Sequence, residues 1–310
     1  MHLLIAHASA LSESCRHTLE DLNLPQLAAL LSRLAPTMRS EADEFSLSTP
    51  HERALAQALG LAGPDGGLPW GAHLAAQDGI DTSDLSWGLL TPAHWHVGMN
   101  HVTMLDPQAL ALQDDESREY LEAVRPLFES EGWALAWGAP TRWYAAHESL
   151  TDLPTASLDR VIGRNVDAWM PDHAQARMLR RLQQEVQMLL YTHPLNDRRQ
   201  ERGLLPVNSF WLSGCGPRQE AKVDPQLIAD TGLRAGLMSD DWAAWAQAWR
   251  ELDAGAVREA LAAARAGQPL RLTLCGERSA QSFEPATRKL WQQIRSRLSP
   301  VQASQVLSNL

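Results

Sequence analysis

The chain has 310 residues, 45% of them hydrophobic, and a formal net charge of −10. That is enough apolar material for one large domain or two, while the acidic balance argues against direct binding to a nucleic-acid backbone, which needs clustered Lys and Arg. Cys15, Cys215 and Cys275 are far apart and lack paired ligand spacing, which argues against a disulfide framework or zinc ribbon and for a reducing compartment.

The first residues, Met-His-Leu-Leu-Ile-Ala-His, form too short an apolar run for a signal peptide and carry no basic leader. No stretch nears the roughly 20 apolar residues of a spanning helix. The expectation is a soluble cytoplasmic protein without a membrane partner.

In chain order, residues 3–6 read as a buried strand entering a turn with Ser9, Ser12 and Ser14. Residues 24–34 have helical spacing, with Pro25 suited to a first turn, and residues 51–61 have it again before the breaker cluster Gly63-Pro-Asp-Gly-Gly67. Over residues 68–150, Trp70, Trp87, Trp95, Trp133, Trp137 and Trp143 alternate with glycine and proline turns. Within this stretch 133–137 and 142–145 predict a hairpin, and 115–129 an acidic helix capped near Asp114.

Residues 157–192 read as two helical pieces separated near Pro171, followed by a Pro/Asn turn at His193, Pro194 and Asn196. A short buried strand over 208–212 closes on the turn Gly214-Cys-Gly216. Residues 227–231 read as helix, 233–238 as strand, 240–265 as helix, 270–275 as strand and 284–298 as helix. This alternation predicts an α/β fold with a mainly parallel central sheet and helices on both faces, built from 1–67 and 151–310, with an inserted tryptophan-rich α+β lobe at 68–150.

Several side chains invite functional readings. His94 and His96 in a strand share one face, and His101 follows closely, a pattern that suits zinc, iron or copper; equally, these are polar members of the tryptophan-rich lobe. His193 and Asn196 either fix a turn through side-chain hydrogen bonds or build an anion site with Arg198 or Arg199. Asn208 opens a strand and either caps a loop or faces a ligand. Ser9, Ser12 and Ser14 are helix-capping hydroxyls or, with His7 or His17 as base, hold a nucleophile. Cys215 between two glycines is either a nucleophile or, with no helix N-terminus or histidine partner in view, a small buried residue.

The stretch His193-Pro-Leu-Asn196, Arg199, Gly203, Pro206-Val-Asn208, Phe210-Trp-Leu212 and Gly214-x-Gly216 resembles a block of the cofactor-independent, archaeal-type phosphoglycerate mutases. Those enzymes belong to the alkaline phosphatase superfamily. The likeness continues in Thr231-Gly-Leu-Arg-Ala-Gly236 and in Leu24-Pro-Gln-Leu-Ala-Ala-Leu30, and is strongest toward a bacterial branch of RpfE-type regulatory proteins. It implies an alkaline-phosphatase-like, truncated core, and it implies for the family two metal ions, zinc or manganese, held by Asp and His.

The departures bear on activity. Where the family has Asp-Gly-x-Gly-Asp after its first strand, this chain reads His7-Ala-Ser-Ala10, and where the family places a histidine- and aspartate-rich run, it reads Thr273 to Ser282 with Glu277 as the surviving carboxylate. The family's late Asp-His pair has no counterpart. The resemblance with these losses implies a catalytically degenerate, phosphoglycerate-mutase-like pseudoenzyme without cofactor, serving as a regulatory or partner-binding protein. The candidate ligand-binding residues are then Ser9, His193, Asn196, Arg199 and Asn208. The alternatives are a mutase- or phosphatase-type metalloenzyme with a rebuilt zinc or manganese site, as at His94, His96 and His101, or a sensor of a phosphorylated metabolite.

Overall fold

The computed structural model describes residues 1–82, 84–171, 176–222, 224–285 and 301–310. Its chain divides into two compact units, one of Met1–Phe45, Thr49–Leu59 and Lys222–Leu310, the other of Ser46–Ser48 and Gly60–Ala221. The boundaries fall at 60 and 221 rather than at 68 and 150, and the cause is strand pairing: the tryptophan-rich stretch and the 209–216 strand hydrogen-bond to each other in one sheet.

In the first unit, β1 (His2–Ile5) lies parallel between β9 (Leu227–Asp230) and β10 (Arg271–Cys275). The sheet continues antiparallel through β11 (Ser279–Pro285) to β2 (Leu34–Glu41) at its edge. Three of the five strands are therefore parallel, and the sheet is mixed. Leu3, Ile5, Leu272, Leu274 and Phe283 point from one face into the main core, which is filled by α1 (Glu13–Asp21), α2 (Pro25–Leu31), α10 (Trp242–Leu252), α11 (Arg258–Arg265) and α12 (Ala303–Ser308). Leu4, Cys275 and Ala280 point the other way, under α3 (Pro50–Leu59).

Local chemistry fixes these helix ends. Ser12 caps α1 by accepting from the Cys15 N–H at 3.1 Å, the ordinary remedy for a helix's unpaired first N–H groups. The start of α2 is capped from a distance: the buried Asp253 carboxylate accepts from the Gln26 and Leu27 N–H groups at 3.1 and 2.7 Å. Burial pushes the Asp253 carboxyl above its ordinary range, and the two N–H donors oppose that rise.

Two elements trade places relative to the sequence reading. Residues 227–230 are strand β9, and 234–238 are helix α9 (Arg234–Met238). Four residues are too few to display a period, and Gly236 is needed within α9 because a Cβ there would lie 2.7 Å from the Trp245 backbone nitrogen. The helix expected over 284–298 lies largely outside the described residues; Glu284 and Pro285 end β11 instead.

The second unit has a sheet of its own in the order β6 (Ala134–Ala139), β7 (Arg142–Ala146), β3 (Trp87–Ala93), β8 (Ser209–Gly216), antiparallel throughout. The β6–β7 hairpin sets Trp137 opposite Trp143. One face packs on α5 (Asp114–Glu129) and α7 (Ala176–Tyr191), burying Tyr120, Phe128, Trp133, Trp143 and Phe210. The other receives α4 (Trp70–Gln77), which comes so close that a Cβ on Gly71 would lie 2.5 Å from the Gly88 Cα.

The strand does not stop at 212 before a glycine turn: it runs on through Gly214 to Gly216. The β3–β8 register slips between Trp87 and Leu89, so that Trp87 pairs with Gly216 and Leu89 with Ser213, and Gly214 takes a φ of 63°. This is a β-bulge with glycine in the left-handed position. A small ribbon of β4 (Trp95–Val97) and β5 (Val102–Met104), and the helix α8 (Pro194–Glu201), complete this unit together with a short helix α6 (Leu158–Val161). No helix among the described residues is long and apolar enough to cross a membrane.

Candidate functional site

The block 193–208 builds structure before anything else. His193 caps α8 through Nδ1, which accepts from the Leu195 N–H at 3.3 Å. Asn196 is buried and saturated: its Oδ1 accepts from the Tyr120 hydroxyl at 2.6 Å and the Val207 N–H at 2.9 Å, and its Nδ2 donates to the Leu190 and Val207 carbonyls. Arg199 has 0% exposure. Its guanidinium donates to Glu116, at 2.5 Å, and to the carbonyls of Leu110 and Leu205. Arg198 pairs with Glu119. The structure thus gives both cations to carboxylates of α5, and the turn-fixing reading of this block describes what its side chains do.

The histidines of the ribbon are dispersed. His94 Nδ1 lies 2.8 Å from the Pro206 carbonyl oxygen, His96 is exposed opposite Thr103, and His101 is exposed in the turn before β5. Among the described residues they do not form a set with ligand atoms within 4.8 Å of one another, because the ribbon's first histidine is held against a neighbouring loop and its last lies beyond the paired residues. Cys215 is buried, and burial pushes its thiol up to about 12, which disfavours the thiolate that a nucleophile needs.

Asn208 leads to a cleft. Its amide clasps Trp95, with Oδ1 accepting from the Trp95 N–H at 2.7 Å and Nδ2 donating to the Trp95 carbonyl at 2.9 Å. That clasp fixes the ribbon against the start of β8. Beside it opens a cleft of about 550 Å³, walled by Trp95, Val97 and Val102 on one side and by Gln183, Gln187 and Tyr191 of α7 on the other, with Val166 and Met170 adding apolar surface. Asp167 and Arg180 are its charged members, and the buried Trp95 Nε1 has no hydrogen-bond partner among the described residues. The volume is that of a small-molecule site. Sequence reasoning singled out Asn208 and the tryptophans but missed the α7 glutamines, whose spacing reads only as a polar helix face.

The first unit has a second candidate, at the carboxyl ends of its parallel strands, where such sheets place ligands. His7 follows β1 with φ of 56°, a strained conformation for a residue with a side chain. Its carbonyl accepts from Trp245 Nε1 at 3.1 Å, and its ring lies 4.5 Å from that of His51. Ser9 is buried, close enough to Gly276 that a Cβ there would lie 2.5 Å from its Oγ. Asp230 accepts from the Gly232 N–H and Glu277 from the Leu11 N–H. Two adjacent imidazoles fit part of a single-ion site. They do not match the two-ion set that the resemblance implies, and both carboxylates already brace backbone.

No family model matches this sequence, and no curated protein matches it. Among solved structures, the chain is similar to a cofactor-independent phosphoglycerate mutase from Thermoplasma acidophilum DSM 1728, at 14% identity and TM-score 0.39, covering 92% of this chain and 90% of that one. It is also similar to the PH0037 protein from Pyrococcus horikoshii, at 12% identity and TM-score 0.45, covering 95% and 92%.

Proposed function

We propose that this protein is a non-catalytic, phosphoglycerate-mutase-like regulatory protein of the RpfE type, and that it works by binding a small molecule or a partner's side chain in the cleft of the second unit. One observation carries the reading: the described residues lining that cleft include amides, one carboxylate, one guanidinium, one phenol and apolar walls, and among them there is no serine, cysteine, histidine or lysine. Amide and apolar groups, which make up most of this lining, recognise rather than attack or shuttle protons. With a single cation among the described lining residues, the occupant is mostly apolar with hydrogen-bonding groups, rather than a multiply charged phosphate ester. The dispersed histidines of the ribbon fit the same reading.

A second reading, a metalloenzyme rebuilt on the carboxyl edge of the first unit, is favoured by the His7–His51 ring pair. One set of measurements separates the two. Metal analysis of protein purified without chelator, with phosphate-ester hydrolysis and mutase assays in added zinc or manganese, is expected to show no turnover. Turnover lost in His7→Asn would overturn the regulatory reading. For the cleft, a thermal-shift screen of apolar-bodied small molecules is expected to give hits abolished by Val97→Arg, which puts a long cation at an exposed position in the wall.

A further inference from the structure

Beneath α3, on the face of the first sheet that carries Leu4 and Cys275, the core gives way to polar residues toward the amino ends of the parallel strands. A cavity of about 70 Å³ lies there, lined by His2 of β1, Arg271 and Thr273 of β10, Ser282 of β11, Ser40 of β2 and Arg53 of α3, among others. This is the edge opposite His7 and Ser9, as the register His2↔Arg271 and Ile5↔Leu274 shows. At roughly 30 Å³ per water, the space takes about two waters or one tetrahedral oxyanion.

Its polar groups are arranged as donors. Arg53 Nε and Nη2 are buried and have no hydrogen-bond partner among the described residues. His2 Nε2, Thr273 Oγ1 and Ser282 Oγ form a chain with two contacts of 2.9 Å, which uses two of its protons and leaves the one at its end to turn toward an added acceptor. Arg271 stands at the rim, paired with Glu284 at 2.6 Å. Arg53 as a residue is partly exposed, but two buried guanidinium nitrogens without an acceptor are costly, and an anion seated on that fork removes the cost.

We propose that this cavity binds one tetrahedral oxyanion, inorganic phosphate or sulfate, on the Arg53 fork, with the Ser282–Thr273–His2 chain as second donor group. Nothing in the proposed cleft function uses these residues. The state of His2 supports the reading. Burial, then the Arg271 cation, hold its imidazole down at about 4, with the terminal ammonium adding to the fall and Asp224 and Glu284 opposing it. Arg53 of α3 is a further cation among the cavity's lining. An anion there reverses the local field, so the imidazole titration midpoint rises when the site fills.

The test uses the full chain at pH 7. Phosphate and sulfate are titrated calorimetrically and by thermal shift against potassium chloride at matched ionic strength, with acetate as a planar comparison. Saturable stabilisation by phosphate and sulfate, weaker with acetate, is expected, and Arg53→Met is expected to weaken it at least tenfold. Arg278→Gln, which breaks an exposed pair with Glu44 outside the cavity, is expected to change it less than twofold. A phosphate effect no larger than that of matched chloride, or one intact in Arg53→Met, overturns the proposal. Should Arg53→Met not fold, Arg53→Lys keeps the charge and loses the fork: at least threefold weaker binding supports the site, and unchanged binding sinks it. The His2 ring resonance, followed by NMR, is expected to titrate at higher pH in saturating phosphate, and an unmoved midpoint counts against the site.

Discussion

Two arginines with buried nitrogens, one in each unit, show how differently a fold can treat the same side chain. Arg199 is enclosed by a carboxylate and two carbonyls, all supplied by the chain. Arg53 has two buried nitrogens with no acceptor from the chain. The first closes a structural lock, and the second faces a cavity. A buried cation with a complete set of partners belongs to stability, and one with a gap in that set directs attention to a ligand.

The largest expected effect breaks the lock. Arg199→Met leaves Glu116 and two carbonyls without their donor and is expected to cost about 3–5 kcal/mol in urea unfolding. A cost under ~1 kcal/mol would show that the network contributes little. Arg53→Met is expected to go the other way. In buffer free of phosphate and sulfate it is neutral or stabilises by ~1 kcal/mol, because an unmet polar cost disappears. A loss rivalling that of Arg199→Met would mean that Arg53 is held by the protein itself.

The last effect is a pH dependence, confined to acid. The His2 imidazole sits at about 4 in the fold against its ordinary 6.5, so between these values the unfolded chain binds more protons. Its contribution to stability is complete above pH 6.5 and is lost as pH falls toward about 4. His2→Gln is expected to flatten the melting temperature over this window in anion-free buffer. An unchanged slope would show that the ring is not desolvated as the structure places it.

What the sequence discloses follows from the range of the forces involved. The β6–β7 hairpin, the acidic helix α5 and the long helix α7 are visible because alternation and helical spacing are local signals, although the cap expected near Asp114 is not formed: Asp114 is the first residue of α5, and Gln113 before it makes no side-chain cap. Strand β2 escapes notice because Leu34-Ala-Pro-Thr-Met-Arg-Ser-Glu41 is an edge strand, largely exposed and interrupted by Pro36, and β11 is rich in serine and glutamine. Asn208 is legible as the opening of a strand, but its clasp on Trp95 joins residues 113 apart in sequence. Arg53, within His-Glu-Arg-Ala-Leu-Ala-Gln, looks like any solvated helical arginine. Only the strand pairing of β1, β10 and β11 gives it a cavity to face.

The bulge at Gly214 has a chemical corollary. In a regular strand, side chains three apart point to opposite faces, yet Leu212 and Cys215 both close on the place where a Gly88 side chain would stand, at 2.7 and 3.0 Å from its ideal Cβ. The inserted residue inverts parity halfway along the strand and turns the thiol inward. The sulfur thereby becomes a space-filling atom walled off from oxidants, and positions 88 and 215 become reciprocally constrained in size: a methyl group admitted at one requires volume to be surrendered by the neighbours that close on it.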